Sequence, residues 1–146
     1  MSFAQLTEAH ELFRVQIRRF VDEKIRPHGE AWEEAGQVPR ELLREMGALG
    51  FLGLRYAEEY GGADADPLMS VMLAEELGRS SFGGVTATVL VHTDMASPHL
   101  VNAGSKAQHD KYLKKVIAGE LVTVIGVTEP DAGSDVAGMR ATARKV

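Results

Sequence analysis

The spacing of apolar residues changes once along this chain, at Gly119, and that change limits the folds open to it. Before Gly119, apolar side chains recur every three or four residues, the period of a helix with one buried face. Leu6, Ala9, Phe13, Ile17, Phe20, Val21 and Ile25 share such a face, with Thr7 placed to cap the helix and Pro27 to end it. Pro39 suits a first helical position, Leu42, Leu43 and Met46 continue that helix, and Gly47 or Gly50 closes it. The run AEEYGG from Ala57 to Gly62 reads as a turn. Asp66 and Pro67 start a helix whose buried face is Leu68, Val71, Met72 and Leu77, and Gly78 stops it. Ser105 with Gln108 three residues on is a capping box. Tyr112, Leu113, Val116 and Ile117 form the inward face of the last helix, which Gly119 ends.

One stretch is ambiguous. Gly83 and Gly84 lead into VTATVLVHTDMA, whose Val and Thr favour strand by propensity. A helix buried on most sides reads the same way, so both readings stay open. Beyond Gly119 the pattern is different. Leu121 to Val127, LVTVIGV, is a short β-branched run expected to form a strand. Met139, Ala141 and Ala143 alternate with Arg140, Thr142 and Arg144 as a half-exposed strand does. That pattern stops at Val146 without a partner strand or a turn. The expectation is therefore a mainly α chain: a helical domain over residues 1–119, then the opening strands of a truncated β-domain over 120–146.

Composition removes several function classes. With 45% apolar and 25% charged residues over 146 positions, the chain suits one soluble globular domain with a real core. A net charge of -5 disfavours nonspecific nucleic-acid binding, which needs clustered Lys and Arg, but leaves a nucleotide cofactor open. The absence of cysteine excludes thiol catalysis, disulfides and thiolate metal sites. No apolar run is long enough to span a membrane, and the acidic, interrupted N-terminus is not a secretory signal, so a cytoplasmic enzyme is the default. His92 and His99 stand two helical turns apart, yet no cluster of three or four ligands accompanies them, and no metal site is expected.

The stretch that carries chemistry is GVTEPDAGSDVAG, from Gly126 to Gly138. It reads as a strand ending at Thr128, then a loop with Pro130, Gly133 and Gly138 that presents Ser134 and Asp135. Glycine lets backbone approach a ligand closely, and successive N–H groups in such a turn can cradle an anion or a polar ring edge. A plain β-turn with Gly and an Asx-type Asp fits the same residues. The block also resembles the signature of the acyl-CoA dehydrogenase family: Gly126, Val127, Thr128, Glu129, Ala132, Gly133, Ser134, Asp135 and Gly138 meet its fixed positions. WEEAGQVP at Trp32–Pro39, MGALGFLGL at Met46–Leu54, EEYGG at Glu58–Gly62 and GSKAQHDKYLKKVIAGE at Gly104–Glu120 resemble further family blocks in the right order. Departures are Ala57, where the family often has Pro, and Asp131, where it often has Gly.

The resemblance implies an N-terminal helical domain followed by a middle β-domain and a C-terminal four-helix bundle, of which this chain would hold the first and the opening of the second. It implies FAD as cofactor, with Val127 and Thr128 at the flavin pyrimidine edge, Gly133 in the cofactor loop, and Ser134 on the cofactor phosphates or the acyl-CoA. It implies α,β-dehydrogenation of an acyl-CoA thioester, in which a Glu takes the α-proton and the β-hydride goes to flavin N5. That Glu belongs to the C-terminal bundle, so no residue of this chain is assigned as catalytic; Glu129, Glu58 and Glu59 read as structural or solvated. An electron-transfer flavoprotein or another acceptor and a homo-oligomer are the implied partners. Rival readings are an oxidase, a flavin monooxygenase or an acyl-carrier-protein dehydrogenase on the same fold, or a non-enzymatic helical module.

Overall fold

A computed structural model describes residues 6–144 of the chain, so residues 1–5 of the expected first domain and residues 145–146 of the expected second lie outside it. The described residues are mainly helical. Helix α1, Glu8–Phe20, runs on through Val21–Ile25, where the ladder widens to an i→i+5 bond from Arg26 N–H to the Val21 carbonyl at 2.9 Å. It stops before Pro27, as expected, because proline cannot continue the ladder. Helices α2, Gly29–Ala35, and α3, Arg40–Ala48, follow, with Pro39 one place earlier than expected, at the cap. Helix α4 spans Pro67–Gly78 and α5 spans Gly83–Leu90, continuing through Val91–Ala96 into α6, Ser97–Ala103. The last helix, α7, is built of Lys106–Gln108, His109–Leu113 and Lys114–Ile117 without a break. The ambiguous stretch is thus helical. Val85, Val89 and His92 all point inward there, four and three residues apart, so burial on the helical period outweighs strand propensity.

The caps form where the sequence places them. Thr7 and His10 make a capping box on α1, and Ser105 and Gln108 make one on α7. Asp66 accepts the Leu68 N–H at 2.8 Å to cap α4. His10, buried at the start of α1, ties two caps together: its Nδ1 accepts the Thr7 N–H at 3.0 Å, and its Nε2 stands 2.8 Å from the Asp66 carboxylate.

The core lies between α1, α3, α4 and α5 and closes around Phe51, which is fully buried. Phe13 and Phe20 meet it edge-on, with ring centroids 5.9 and 5.5 Å away. Such contacts between ring edge and ring face are favourable beyond the area they bury. An ion pair with a buried carboxylate crosses α1 and α4. The Arg18 guanidinium grips Glu76 with two bonds of 3.0 and 2.7 Å, and Arg79 adds a contact at 3.1 Å. The Arg18 bonds hold the Glu76 carboxyl below its ordinary value against the opposing effect of burial. A second apolar cluster, Tyr56, Leu113 and Ile117, joins α7 to the loop after α3.

Four inward positions read from the sequence face out instead: Leu6 and Ala9 at the start of α1 are exposed, as are Val71 and Tyr112. Val71 is 52% exposed and Tyr112 38% exposed. Helix α4 is apolar on nearly every side (PLMSVMLA), so the spacing offers too little contrast to choose its face.

Beyond α7 the chain turns at Gly119, whose φ of +70° and approach to the Leu43 carbonyl leave no room for a Cβ. The strand expected over Leu121–Val127 does not form a ladder, nor does the alternating stretch from Met139; among the described residues the only bridge joins Glu129 to Ala132. A helix satisfies its own backbone, whereas a strand needs a neighbour, and no described residue supplies one.

Candidate functional site

The signature loop leaves the helical body through a polar joint. His92 sits on the wide turn after α5 and is fully buried. Its Nε2 lies 3.1 Å from the Val116 carbonyl, which can only accept, so Nε2 carries the proton. Its Nδ1 accepts the Thr123 N–H at 3.0 Å, and the Thr123 hydroxyl lies 2.9 Å from Nδ1 and 3.1 Å from the His92 carbonyl. The ring is a neutral strut between α7 and the segment after Gly119. Burial pushes its pKa down, and the bond to Val116 only partly opposes that. The network extends inward. The Tyr56 hydroxyl donates to the Thr93 carbonyl at 2.9 Å and contacts the Ser97 hydroxyl, which reaches the His92 carbonyl. Burial raises the Tyr56 pKa, with the Ser97 contact lowering it in part.

From this joint the chain runs to the loop. Glu129 and Ala132 exchange backbone bonds of 2.7 and 3.3 Å around Pro130 and Asp131, and Ala132 is buried beneath the turn. The fold-back sets Gly133 beside Thr128. A Cβ placed on Gly133 would meet only the Thr128 methyl, at 3.9 Å, so the backbone there is open to a ligand. Val127 and Gly133 are half-buried, while Thr128 and Ser134 are exposed. A tight turn over Val136–Gly138 follows, closed by the Gly138 N–H on the Asp135 carbonyl at 3.1 Å. The loop thus carries two exposed hydroxyls and an approachable glycine backbone, a donor set that suits the polar edge or phosphates of a nucleotide cofactor.

Glu129 is occupied otherwise. Its carboxylate accepts the N–H groups of Arg140 at 2.7 Å and Ala141 at 3.0 Å, which pins the far end of the loop. That matches its structural reading. Glu58 and Glu59 lie exposed in a tight turn. His92 and His99 do not converge: the first is buried and the second exposed. Sequence reasoning weighed His92 only as a metal ligand and so missed the joint. The available signal was a single titratable side chain inside an apolar stretch, which must find partners when buried.

Comparisons with known proteins bear on the whole chain. Residues 7–120 match the family described as acyl-CoA dehydrogenase, N-terminal domain. Long-chain specific acyl-CoA dehydrogenase from Mus musculus mitochondria is 37% identical over 136 residues, 93% of this chain and 31% of that protein. The crystal structure of an acyl-CoA dehydrogenase from Geobacillus kaustophilus superposes with a TM-score of 0.87 at 38% identity, covering 94% of this chain and 36% of that one. A glutaryl-CoA dehydrogenase from Mycobacterium smegmatis in complex with FADH2 gives 0.84 at 32% identity, covering 92% and 34%. The chain therefore spans about a third of the length of the relatives it matches.

Proposed function

The chain belongs to the acyl-CoA dehydrogenase family, carrying its N-terminal domain over residues 7–120, and from that premise we propose that the complete protein is an FAD-dependent dehydrogenase of acyl-CoA thioesters. The observation that carries the reading is the loop itself: Thr128 exposed beside the open backbone of Gly133, on a segment anchored in the helical body through Thr123. The Val127 backbone and the Thr128 hydroxyl meet the pyrimidine edge of the flavin, Gly133 lets the cofactor approach, and Ser134 binds the cofactor phosphates or the acyl-CoA. Donors at that edge favour the reduced flavin, because they face the oxygen and nitrogen where negative charge grows. The bound flavin supplies the acceptor for the thioester's β-hydride. Glu129 takes no part in proton transfer, since two backbone N–H groups hold its carboxylate. The division at residue 119, with 120–146 opening a β-domain, belongs to the same proposal, as do an electron-transfer flavoprotein as acceptor and a homo-oligomeric assembly.

Thr128→Val in the complete protein tests this. Single-turnover reduction of the flavin by acyl-CoA should slow about 100-fold, the typical effect of one donor removed from a site of charge development, while thermal stability stays unchanged. Reduction at the wild-type rate would remove Thr128 from the site. Wild-type protein without flavin absorbance would overturn the cofactor assignment.

A further inference from the structure

We infer that His92 is the positioning residue of the proposed cofactor edge, fixing through the Thr123 N–H how the segment 121–128 leaves the helical body. The inference rests on the flavin reading of Val127 and Thr128 given above. Among the described residues, the Thr123 N–H is the one backbone group between residues 122 and 128 that is held by a hydrogen bond. Thr128 follows five residues later, a reach of about 17 Å at full extension. Whatever fixes Thr123 therefore fixes the near end of the lever on which Thr128 stands. His92 is well suited to this. Its ring is fully buried, its proton is committed to the Val116 carbonyl, and that leaves Nδ1 as an acceptor aimed at the segment. The Thr123 hydroxyl adds a second tie to the same residue. Ser97, itself fully buried, holds the His92 carbonyl from the inner side, so the strut is braced at both ring and backbone.

A ring that merely fills the core and a ring that positions Thr123 predict different outcomes for two amides. In Asn the terminal atoms stand one bond beyond Cγ's position in the chain, where Nδ1 stands in His; in Gln they stand one bond further, where Nε2 stands. His92→Asn keeps an acceptor for Thr123 and loses the donor to Val116. His92→Gln keeps that donor and loses the acceptor. In the full-length protein, His92→Gln should speed hydrogen exchange at the Thr123 amide about tenfold and raise the FAD dissociation constant about tenfold, the effect of one lost hydrogen bond. His92→Asn should stay within about threefold of wild type in both, although it loses as much thermal stability. Thr123→Pro deletes the N–H together with the hydroxyl that also reaches His92, and should weaken FAD binding at least as much as His92→Gln does. Equal FAD affinity and exchange in the Asn and Gln variants, or wild-type affinity in Thr123→Pro, would overturn the assignment. If wild-type protein binds no FAD, the flavin reading fails, while the exchange comparison still decides whether His92 holds Thr123.

Discussion

The helical body that ends at Ile117 and the segment beyond Gly119 are both rich in aliphatic residues, yet they bury them to opposite degrees. In the body, Phe51, Ile25, Met46, Leu77 and Val89 are wholly enclosed. In the segment, Val124 is 79% exposed and Val136 61% exposed. The stretch Val85–Met95 is as apolar as that segment, but Val85 and Val89 are buried by the chain's own helices, and among its large apolar side chains Met95, at 50%, is the most exposed. The difference lies in where each kind of structure finds its hydrogen bonds. A helix closes its backbone locally and is left with one stripe to cover, which seven helices can do for each other. A strand closes its backbone only against another strand, so its apolar faces cannot settle until that neighbour is in place.

This contrast can be broken at three points of decreasing size. Phe51→Ala removes the centre of the body and should cost about 4 kcal/mol of stability, measured by denaturant unfolding; a cost near zero would mean that the body does not close on Phe51. Glu76→Gln should cost about 2 kcal/mol, because it breaks the ion pairing of a buried carboxylate whose arginine partners are half exposed. Its pH dependence has a definite sign. The folded-state pKa of Glu76 is depressed, so its contribution is complete above the ordinary 4.5 and is lost as pH falls through the lower folded value. The Gln variant should therefore lose stability less steeply than wild type as pH falls from 4.5 to that lower value. Val124→Lys should change stability by less than about 0.5 kcal/mol, since the side chain is exposed. The wild-type 146-residue chain should self-associate through its exposed Leu121, Val124 and Ile125 side chains, and Val124→Lys should lower that association. Sedimentation at micromolar concentration checks this, and a wild-type chain that stays monomeric would contradict it.

The same contrast explains what was legible in the sequence. Thr7, Asp66 and Ser105 announce their helices because a cap is a local event between residues two or three apart. Pro27 and Gly119 mark ends for equally local reasons. The face of α4 was not legible at Val71, since an apolar helix has no polar side to mark its exterior. The Arg18–Glu76 and His92–Thr123 pairs join residues far apart in the chain, and nothing in spacing or composition links them. In the candidate site, the proposed cofactor residues Val127, Thr128, Gly133 and Ser134 could be named only through the resemblance of Gly126–Gly138 to the family signature. The joint that holds them could not, because it depends on α5 and α7 packing His92 against the start of the segment.

Backbone amide hydrogen exchange on the 146-residue chain tests the central claim most directly, that the helical body is self-sufficient and the segment beyond it is not. Amides of Ile17–Ile25, Leu42–Met46, Met72–Leu77 and Val85–His92 should exchange slowest and together, as one cooperative unit. Those of Val124–Thr128 should exchange at rates close to an unstructured peptide, with the Thr123 amide, bonded to His92, standing out as protected. Protection across Val124–Thr128 as strong as in the helices would show that the segment completes its own structure, and would contradict the account.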